Sequence, residues 1–318
     1  MNIDHDWRPL YSFRSRTIEL DAPHGGSRLR YHYVDEGAGE PLLLVHGNPT
    51  WSFYWRKIVT ALADRYRLIA VDHIGCGLSD KPLDYPYTLA QHTANLGALI
   101  RQLDLRDVTL LAHDWGGAIG LGAAACEPER FARYVLFNTA AFPPPHFPWR
   151  IRVCRTPLLG RWAVQRLNVF ARAALTMALE DPSRLSPAER AGLLAPYDSW
   201  AHRHAIYRFI ADIPATPRHP TWQVLERLEA ALPGLATSPF LFIWGMRDWC
   251  FTPACLERFL QHVPAAEVTK LEDAGHYVVE EASEAIVERL AEFLTAHPLA
   301  KQTPAAKTTA AGEARSHA

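Results

Sequence analysis

The segment Leu110–Gly117 constrains the fold more than any other part of the sequence. An apolar run, Val108–Ala112, predicts a buried parallel strand, and the residues that follow the segment have a helical pattern. Between these elements, an alanine precedes Asp114 by two positions and Gly116 follows it by two. A sharp strand-to-helix turn crowds the backbone at its tip and therefore requires small residues there. The segment predicts a nucleophile elbow with Asp114 at its tip.

An aspartate at this tip decides the chemistry, because serine is the usual residue of such elbows. A carboxylate is already ionised at neutral pH, since the reference pKa of aspartate is about 3.9. It needs no base in order to attack, but it is a weak nucleophile toward carbonyl carbon. It suits displacement at a saturated carbon that carries a good leaving group, which yields a covalent alkyl ester. We therefore expect Asp114 to be the catalytic nucleophile.

Short apolar runs and helical patterns alternate along most of the chain. The apolar runs predict further strands at 16–20, 29–34, 41–45, 67–71, 134–137, 240–244 and 267–271. Helical spacing predicts helices at 51–62, 88–103 and 285–294, and Thr88 is a suitable N-cap. This alternation is typical of an α/β protein with right-handed crossovers. With the elbow strand included, we predict a mostly parallel eight-stranded sheet flanked by helices.

The alternation breaks between residues 141 and 222, where no strand pattern occurs. Helical patterns take its place, at 162–179, 187–194 and 200–210. We therefore predict an inserted helical cap at 141–222 and a core that consists of 1–140 and 223–297. The last residues, 298–318, are rich in Ala, Thr and Lys and predict a disordered tail.

Arginine supplies almost all of the positive charge in the predicted cap, which contains 11 arginines against 5 acidic residues. Two interpretations are open at this point. The arginines form an ordinary solvated helical surface, or they form a docking face for an acidic partner or an attractor for carboxylate substrates.

Composition argues against several classes of function. The formal net charge is −1, so no global field favours nucleic acid or an anionic membrane. The 5 cysteines have neither a CxxC motif nor a spacing typical of metal sites, which predicts reduced thiols and no metal. No signal segment and no run of about 18 apolar residues is found, so no transmembrane segment is expected. We expect a cytoplasmic protein that needs no cofactor.

Two further residues complete a catalytic constellation. Asp248 follows a predicted strand as Gly-x-x-Asp, and His276 follows the last predicted strand as Gly-His. The chain order nucleophile, acid, histidine is that of α/β-hydrolases. Because the strands end at the same edge of a parallel sheet, we expect these residues to meet Asp114 there. Asp248 would orient His276, which we expect to be neutral near neutral pH and to act on water or substrate.

A developing anion needs hydrogen-bond donors near Asp114. The residue after His46-Gly47 and the residue after the nucleophile usually supply backbone N–H groups, and here they are Asn48 and Trp115. Both also carry side-chain N–H groups and no negative charge, which suits a halide or a carboxylate. The alternative for Trp115 is plain core packing. We interpret His46 as a residue that holds its loop rather than as a second base.

These motifs resemble those of the haloalkane dehalogenases. The similarity runs from about residue 28 to residue 294 and is carried by His46–Thr50, Trp55-Arg56 and His113–Gly117. It implies an α/β-hydrolase fold with an inserted cap, an aspartate nucleophile at Asp114, and halide binding by Asn48 and Trp115. Asn138 stands where one subfamily has its acidic residue, so the chain is similar to the subfamilies that use the later position, Asp248.

Within that family the chain is most similar to the third-subfamily β-lactone decarboxylases of bacterial long-chain olefin biosynthesis. The similar segments are 138–143, 195–200, 211–214 and 244–248. This resemblance implies opening of a cis-β-lactone with two long alkyl chains, followed by release of CO2 and a cis-alkene. Asn48 and Trp115 would then hold the departing carboxylate.

The same resemblance suggests the partners. It implies an apolar small-molecule or long-chain substrate and a multienzyme assembly with other olefin-biosynthesis enzymes. The apolar cap residues are either the lining of a long-chain channel or ordinary core: Trp162, Val164, Leu167, Val169, Phe170, Leu175 and Met177.

Three other functions compete with this interpretation. Haloalkane dehalogenation would use the same nucleophile and anion site. Epoxide hydrolysis would require acid donors such as the cap tyrosines Tyr197 and Tyr207, although Asn48 replaces the bulky residue usual there. A catalytically idle scaffold with an arginine-rich docking face would have no need of Asp114, Asp248 and His276 together.

Overall fold

The computed structural model describes residues 6–23, 26–144 and 148–299. The strands within these ranges form one sheet: β1 Ser15–Leu20, β2 Leu29–Glu36, β3 Pro41–Val45, β4 Arg67–Val71, β5 Val108–Asp114, β6 Phe131–Thr139, β7 Phe240–Gly245 and β8 Glu267–Leu271. Their order across the sheet is β1-β2-β4-β3-β5-β6-β7-β8. Only β2 pairs antiparallel with its neighbours, β1 and β4. The predicted mostly parallel, eight-stranded sheet is confirmed for the described part of the chain.

The sheet lies between two apolar layers, because successive side chains of a strand point to opposite faces. In β3, Leu43 and Val45 pack into one buried cluster. Leu42 and Leu44 pack into the other. All of these side chains are fully buried. Burial on both faces explains why β3 is a continuous apolar run in the sequence.

Helices cover both faces and form the region between β6 and β7. In the described residues they are α1 Arg56–Leu62, α2 Leu89–Gln102, α3 Trp115–Cys126, α4 Trp149–Arg155, α5 Leu159–Leu167, α6 Val169–Met177, α7 Pro187–Leu194, α8 His204–Asp212, α9 Pro220–Leu235, α10 Pro253–His262, α11 Val278–Glu281 and α12 Ser283–Ala296. The prediction that Thr88 caps α2 is confirmed, because its side chain accepts the N–H of Gln91. The mostly parallel sheet with helices on both faces confirms the predicted α/β-hydrolase fold class.

Two predicted helices are interrupted in the structure. The helix expected at 51–62 consists of a 3-10 turn, Ser52–Trp55, followed by α1. The helix expected at 162–179 is divided into α5 and α6 at Asn168, whose backbone is left-handed with φ 56°. The spacing of apolar residues does not reveal such a break, because apolar residues continue at helical spacing on both sides of it.

Helices α4, α9, α10 and α11 are absent from the sequence-based prediction. α9 begins at Pro220, inside the predicted cap, and packs against α2 and α3 of the core. The boundary at 222 and 223 would therefore cut a continuous helix, and the division into core and cap stays a prediction. The predicted disordered tail, 298–318, lies outside the described residues except for its first two positions. No helix in the described ranges has the length and apolarity to cross a bilayer.

Candidate active site

Asp114 lies at a strained turn between β5 and α3. Its φ of 55° and ψ of −129° are unusual for a residue with a side chain. Tight packing holds the turn, since a methyl group on Gly116 would overlap the backbone of Val45 and one on Gly117 would overlap the side chain of Thr139. The Thr139 hydroxyl also donates to the Asp114 carbonyl at 2.5 Å. The strand, the sharp turn and the helix expected around Asp114 are therefore present.

Backbone donors surround the carboxylate of Asp114. The N–H of Asn48 donates to Oδ1 at 2.7 Å, and the N–H of Trp115 is a second donor to the carboxylate. Gly47 passes so close that a Cβ there would overlap the carboxylate. These two N–H groups lie where an oxyanion hole is expected, and the Asn48 N–H binds Oδ1, whereas Oδ2 is the oxygen nearer to His276.

His276 joins the two predicted carboxylates. Its Nδ1 lies 2.8 Å from Oδ2 of Asp248, and its Nε2 lies 3.6 Å from Oδ2 of Asp114. The other Asp248 oxygen accepts the N–H of Cys250 at 2.6 Å, which fixes the orientation of the carboxylate. Asp248 follows β7 and His276 follows β8, so parallel strands that end at one edge of the sheet bring the three side chains together.

Burial and neighbouring charges shift the pKa values of His276 and Asp114. Burial lowers the pKa of His276, but Asp248 and then Asp114 more than compensate, so the net shift is upward. Burial raises the pKa of Asp114, and His276 with the two backbone donors reduces that rise. The two carboxylates therefore oppose the effect of burial on the His276 ring, and the sequence-based expectation of a neutral ring stays a prediction. Ester formation would remove the Asp114 charge and lower the pKa of His276.

Asn48 and Trp115 lie beside Asp114, as the sequence predicts. The Nδ2 of Asn48 donates to the carbonyl of Ile206 at 3.2 Å, and since an amide NH2 has two hydrogens, one remains for a ligand. The Trp115 ring is half-buried and packs edge-on against Phe209 at 5.6 Å between centroids. Both residues line the cavity described below. Their role in anion binding stays a prediction.

A cavity of about 720 Å³ opens above Asp114 and His276. Its other walls are mostly apolar and come from α4, α6, α8, α10 and the loops that follow the strands. They include Phe142, Trp149, Ile151, Phe170, Ala174, Met177, Ile210, Phe251 and Tyr277. A cavity of this size and lining suits an apolar organic substrate.

Only some of the apolar cap residues that the sequence suggests as a channel lining have that position. Val169, Phe170 and Met177 line the cavity. Val164 and Leu175 are buried in the core clusters instead. Trp162 and Leu167 are exposed, with 56% and 48% of their surface accessible. Helical spacing identifies one face of a helix but not the neighbour that the face meets.

The cap tyrosines do not form a pair of acid donors at this site. Tyr197 is buried, and its hydroxyl donates to the carbonyl of Thr50 at 3.1 Å. Tyr207 packs against the small apolar cluster that contains Tyr197. Among the described residues, neither contributes to the cavity wall. This arrangement disfavours epoxide hydrolysis, in which two such hydroxyls protonate the epoxide oxygen.

Several residues of the site were missed at the sequence level. His113 contributes Nε2 to a hydrogen bond with the His276 carbonyl at 2.8 Å, and the ring of Phe251 stacks on that of His276 at 5.6 Å. Asn138 binds both backbone groups of Gly245, just before the loop of Asp248. For His113, the signal available in the sequence was its position directly before the nucleophile. Asn138 was noted there only as the replacement of an acidic residue, not for this contact.

His46 holds its loop, as predicted. Its Nδ1 bonds the Gly47 carbonyl at 2.7 Å, and its Nε2 accepts the N–H of His73 at 3.0 Å. Burial lowers the pKa of His46, which favours this neutral, accepting form.

Comparison with known proteins supports this description. Residues 40–283 match the alpha/beta hydrolase fold family. The chain is 42% identical over 272 residues to a cis-3-alkyl-4-alkyloxetan-2-one decarboxylase of Shewanella oneidensis, covering 84% of this chain and 85% of that protein. It is 34% identical to haloalkane dehalogenase 2 of Mycobacterium tuberculosis, covering 91% of this chain and 99% of that protein.

A solved structure with the same architecture is the haloalkane dehalogenase DatA from Agrobacterium tumefaciens C58. It is 30% identical, with a TM-score of 0.78, and the alignment covers 89% of this chain and 97% of that one. By sequence and by structure, the chain belongs to the α/β-hydrolase family, in the group that contains the haloalkane dehalogenases and the cis-3-alkyl-4-alkyloxetan-2-one decarboxylases.

Proposed function

We propose that this protein decarboxylates cis-3-alkyl-4-alkyloxetan-2-ones, which are β-lactones, through a covalent ester of Asp114. The observation that carries the substrate class is the 42% identity to a decarboxylase with this activity, against 34% to a dehalogenase. The apolar cavity of about 720 Å³ above the Asp114 carboxylate supports a substrate with two alkyl chains.

The first step is displacement at the ring carbon that bears the ring oxygen. Oδ2 of Asp114, the oxygen not bound by the Asn48 amide, attacks this carbon from the side opposite the ring oxygen. The carbon–oxygen bond breaks, and its electron pair departs on a carboxylate that stays attached to the neighbouring carbon. Release of ring strain assists the step, and the product is an alkyl ester of Asp114.

The second step is a decarboxylative elimination. The bond between the carboxylate and its carbon breaks to release CO2, its electron pair forms the alkene, and the ester bond to Asp114 breaks. The Asp114 carboxylate is regenerated, and neither water nor a proton is consumed. Displacement inverts one carbon, so an anti elimination returns both alkyl groups to the same side. A cis lactone then yields a cis alkene.

His276 has an electrostatic role in this sequence. Its Nε2, 3.6 Å from Asp114, faces the oxygen on which negative charge reappears during elimination. Asp248 holds the ring through Nδ1 and stabilises its imidazolium form. Asn48 and Trp115 supply N–H groups for the carboxylate that forms when the ring opens.

The direct test compares two substrates with the purified protein. A long-chain cis-3,4-dialkyl-oxetan-2-one should give CO2 and a cis alkene, measured by gas chromatography, and the Asp114→Ala variant should give neither. 1-Bromohexane, tested separately, should release little bromide. Bromide release without any action on the lactone would refute the decarboxylase assignment.

Turnover in water enriched in heavy oxygen distinguishes elimination from hydrolysis, because the isotope content of Asp114 differs between the two reactions. Hydrolysis of an aspartyl ester at its carbonyl carbon places a water oxygen in the aspartate side chain, whereas the elimination proposed here does not. After many turnovers of lactone in water enriched in heavy oxygen, mass spectrometry of the peptide that contains Asp114 should show no added mass. Incorporation during lactone turnover would refute the elimination step.

Haloalkane dehalogenation is the second candidate, favoured by the similarity to DatA over 89% of this chain. It would use the same attack by Asp114, with a halide as the leaving group and with hydrolysis of the ester by water. In that reaction His276 must become neutral in order to accept a proton from water. Heavy-oxygen labelling of Asp114 during haloalkane turnover would be its signature.

The same proposal has consequences for the substrate, the partners and the cellular location of the enzyme. We infer an apolar long-chain substrate, no nucleic-acid partner, a cytoplasmic location and assembly with other enzymes of olefin biosynthesis. Neighbouring genes for a thiolase-like enzyme, a reductase and a lactone synthetase would support that assembly.

A further inference from the structure

Helices α4 to α6 expose a concentration of large apolar side chains. We call this surface the α4–α6 face; its residues are Trp149, Val153, Leu158, Leu159, Trp162, Leu167, Val169 and Met177. Leu158 and Leu159 are 84% and 80% exposed, and Trp149 is 69% exposed. Elsewhere in the described chain the large exposed apolar residues are few and scattered, at Leu10, Leu78, Leu83 and Trp200. A clustered patch of this kind marks an interaction surface.

The charge of the same segment is uniformly positive. Residues 148–178 contain 6 arginines, no lysine and no acidic residue. Arg152, Arg166 and Arg172 are exposed among the apolar side chains of the α4–α6 face. The whole chain has a formal charge of −1, so the positive field is local to this surface.

The α4–α6 face also borders the cavity. Trp149, Val169 and Met177 are exposed on this face and at the same time line the cavity that contains Asp114. A molecule bound to the face would therefore lie directly at the entrance to the site.

We propose that the α4–α6 face docks on the surface of a bilayer that contains anionic phospholipids, with the mouth of the cavity toward the lipid. Exposed Trp and Leu side chains intermixed with arginines are typical of segments that lie at the membrane interface. The apolar side chains enter the boundary between head groups and acyl chains, and the guanidinium groups bind lipid phosphates. Direct passage of a long-chain lactone from bilayer to cavity rests on the proposed function, but the docking itself does not.

The experiment measures vesicle binding without substrate, so that its outcome is independent of catalysis. The full chain is sedimented with vesicles of phosphatidylcholine plus phosphatidylglycerol, and in parallel with vesicles of phosphatidylcholine alone. We expect binding to the mixed vesicles and much weaker binding to the neutral ones. Added salt should weaken the binding, because it screens the arginine contribution.

Two variants test the two parts of the surface. The Leu158→Ser/Leu159→Ser variant should bind mixed vesicles about tenfold more weakly or worse, because it removes apolar area from the interface. The Arg166→Gln/Arg172→Gln variant should bind about fivefold more weakly for each arginine. Leu83→Ser is the matched control, since Leu83 is 51% exposed but lies outside the α4–α6 face, and it should bind like the unaltered protein.

The outcomes separate membrane docking from its alternatives. Absence of binding to either vesicle, or binding that neither variant weakens, would overturn the proposal. Self-association of the chain that the leucine variant abolishes, without vesicle binding, would instead assign the face to a protein contact and would also overturn it. Turnover of a short-chain, water-soluble lactone by both variants verifies that they are folded. Failure of that turnover in the unaltered protein would count against the proposed function alone.

Discussion

At the scale of single residues, close packing of Gly47 against the Asp114 carboxylate leaves no space for a side chain. We predict that Gly47→Ala displaces the carboxylate and lowers kcat by about 10²-fold, the size of effect that a displacement of about 1 Å can have. The measurement is steady-state lactone turnover, with circular dichroism to verify the fold.

The matched control for this variant is Gly234→Ala in α9. Apart from its chain neighbours and the backbone of its own helix, no described atom lies within 4 Å of a Cβ built on Gly234, so the added methyl group has open space. Alanine is also the better helix former, by about 0.8–1.0 kcal/mol. We expect unchanged kcat and equal or greater stability. Equal activity of both variants would show that the Asp114 carboxylate tolerates displacement.

The pKa of His276 gives a second prediction at this scale. Because Asp248 is the main group that raises this pKa against burial, Asp248→Asn should lower it. If the imidazolium assists elimination, lactone turnover falls as pH rises through the pKa of His276, and the variant moves that fall to lower pH. Its kcat should also decrease, by up to about 10⁴-fold as in other triads.

The measurement is the pH profile of kcat for both proteins. Haloalkane hydrolysis needs the neutral ring, so its rate should instead rise with pH through the same pKa. Lactone turnover that rises with pH would assign a base role to His276 and contradict the electrostatic one.

At the scale of helices, a buried ion cluster joins the predicted cap to the core. Arg56 of α1 binds Glu280 of α11 at 2.5 Å and Glu189 of α7 at 2.6 Å. The side chains of Arg56 and Glu280 are 4% and 0% exposed. Lys57 also lies 3.0 Å from Glu189 and 3.3 Å from Glu280, so loss of Arg56 would leave the buried carboxylate of Glu280 only partly compensated. We predict that Arg56→Met lowers the free energy of unfolding by about 3–5 kcal/mol, measured by urea denaturation.

Arg28→Met is the control for this loss, because Arg28 pairs with Glu19 at the surface, where the side chains are 68% and 58% exposed. A solvent-exposed pair contributes little to stability, so this variant should be nearly neutral. An equally small effect for Arg56→Met would show that the cluster is replaceable and that apolar packing alone holds α7 on the core.

At the scale of the whole molecule, buried histidines limit stability in acid. Burial lowers the pKa of His46 and His73, and it lowers the pKa of His92 to about 3. The neutral form of such a histidine contributes its full stabilisation above the unfolded-state pKa of about 6.5. That stabilisation is lost as pH falls toward the folded-state pKa, because the unfolded state then binds a proton that the folded state does not. We therefore predict that the free energy of unfolding decreases progressively below about pH 6.5.

His92→Leu tests this prediction. Neither ring nitrogen of His92 has a hydrogen-bond partner among the described residues, and the ring stacks on Phe209 at 4.5 Å. The variant should be more stable by about 1–3 kcal/mol and should lose less stability in acid, as measured by denaturation at several pH values. An identical acid slope in His92→Leu would exclude this histidine as a cause.

The molecular architecture was largely predictable, for local reasons. Buried parallel strands are continuous apolar runs, and parallel strands end at one edge of the sheet. This is why Asp114, Asp248 and His276 could be placed together although they are far apart in the chain. The small residues around Asp114 likewise predicted the sharp turn. The turn requires them for steric reasons that involve only a few neighbouring residues.

Only the tertiary structure decided which partners distant residues have. The break at Asn168, the Arg56 cluster that joins α1, α7 and α11, and the exposure of Leu158 and Leu159 are absent from any local pattern. Helical spacing defines an apolar face, but burial depends on the neighbour that the rest of the chain supplies. The sequence by itself therefore determined the sheet and the residues at its edge, because these follow from local sterics and hydrophobicity. The cavity wall, the carboxylates that face His276 and the exposed α4–α6 face depend on contacts between distant segments.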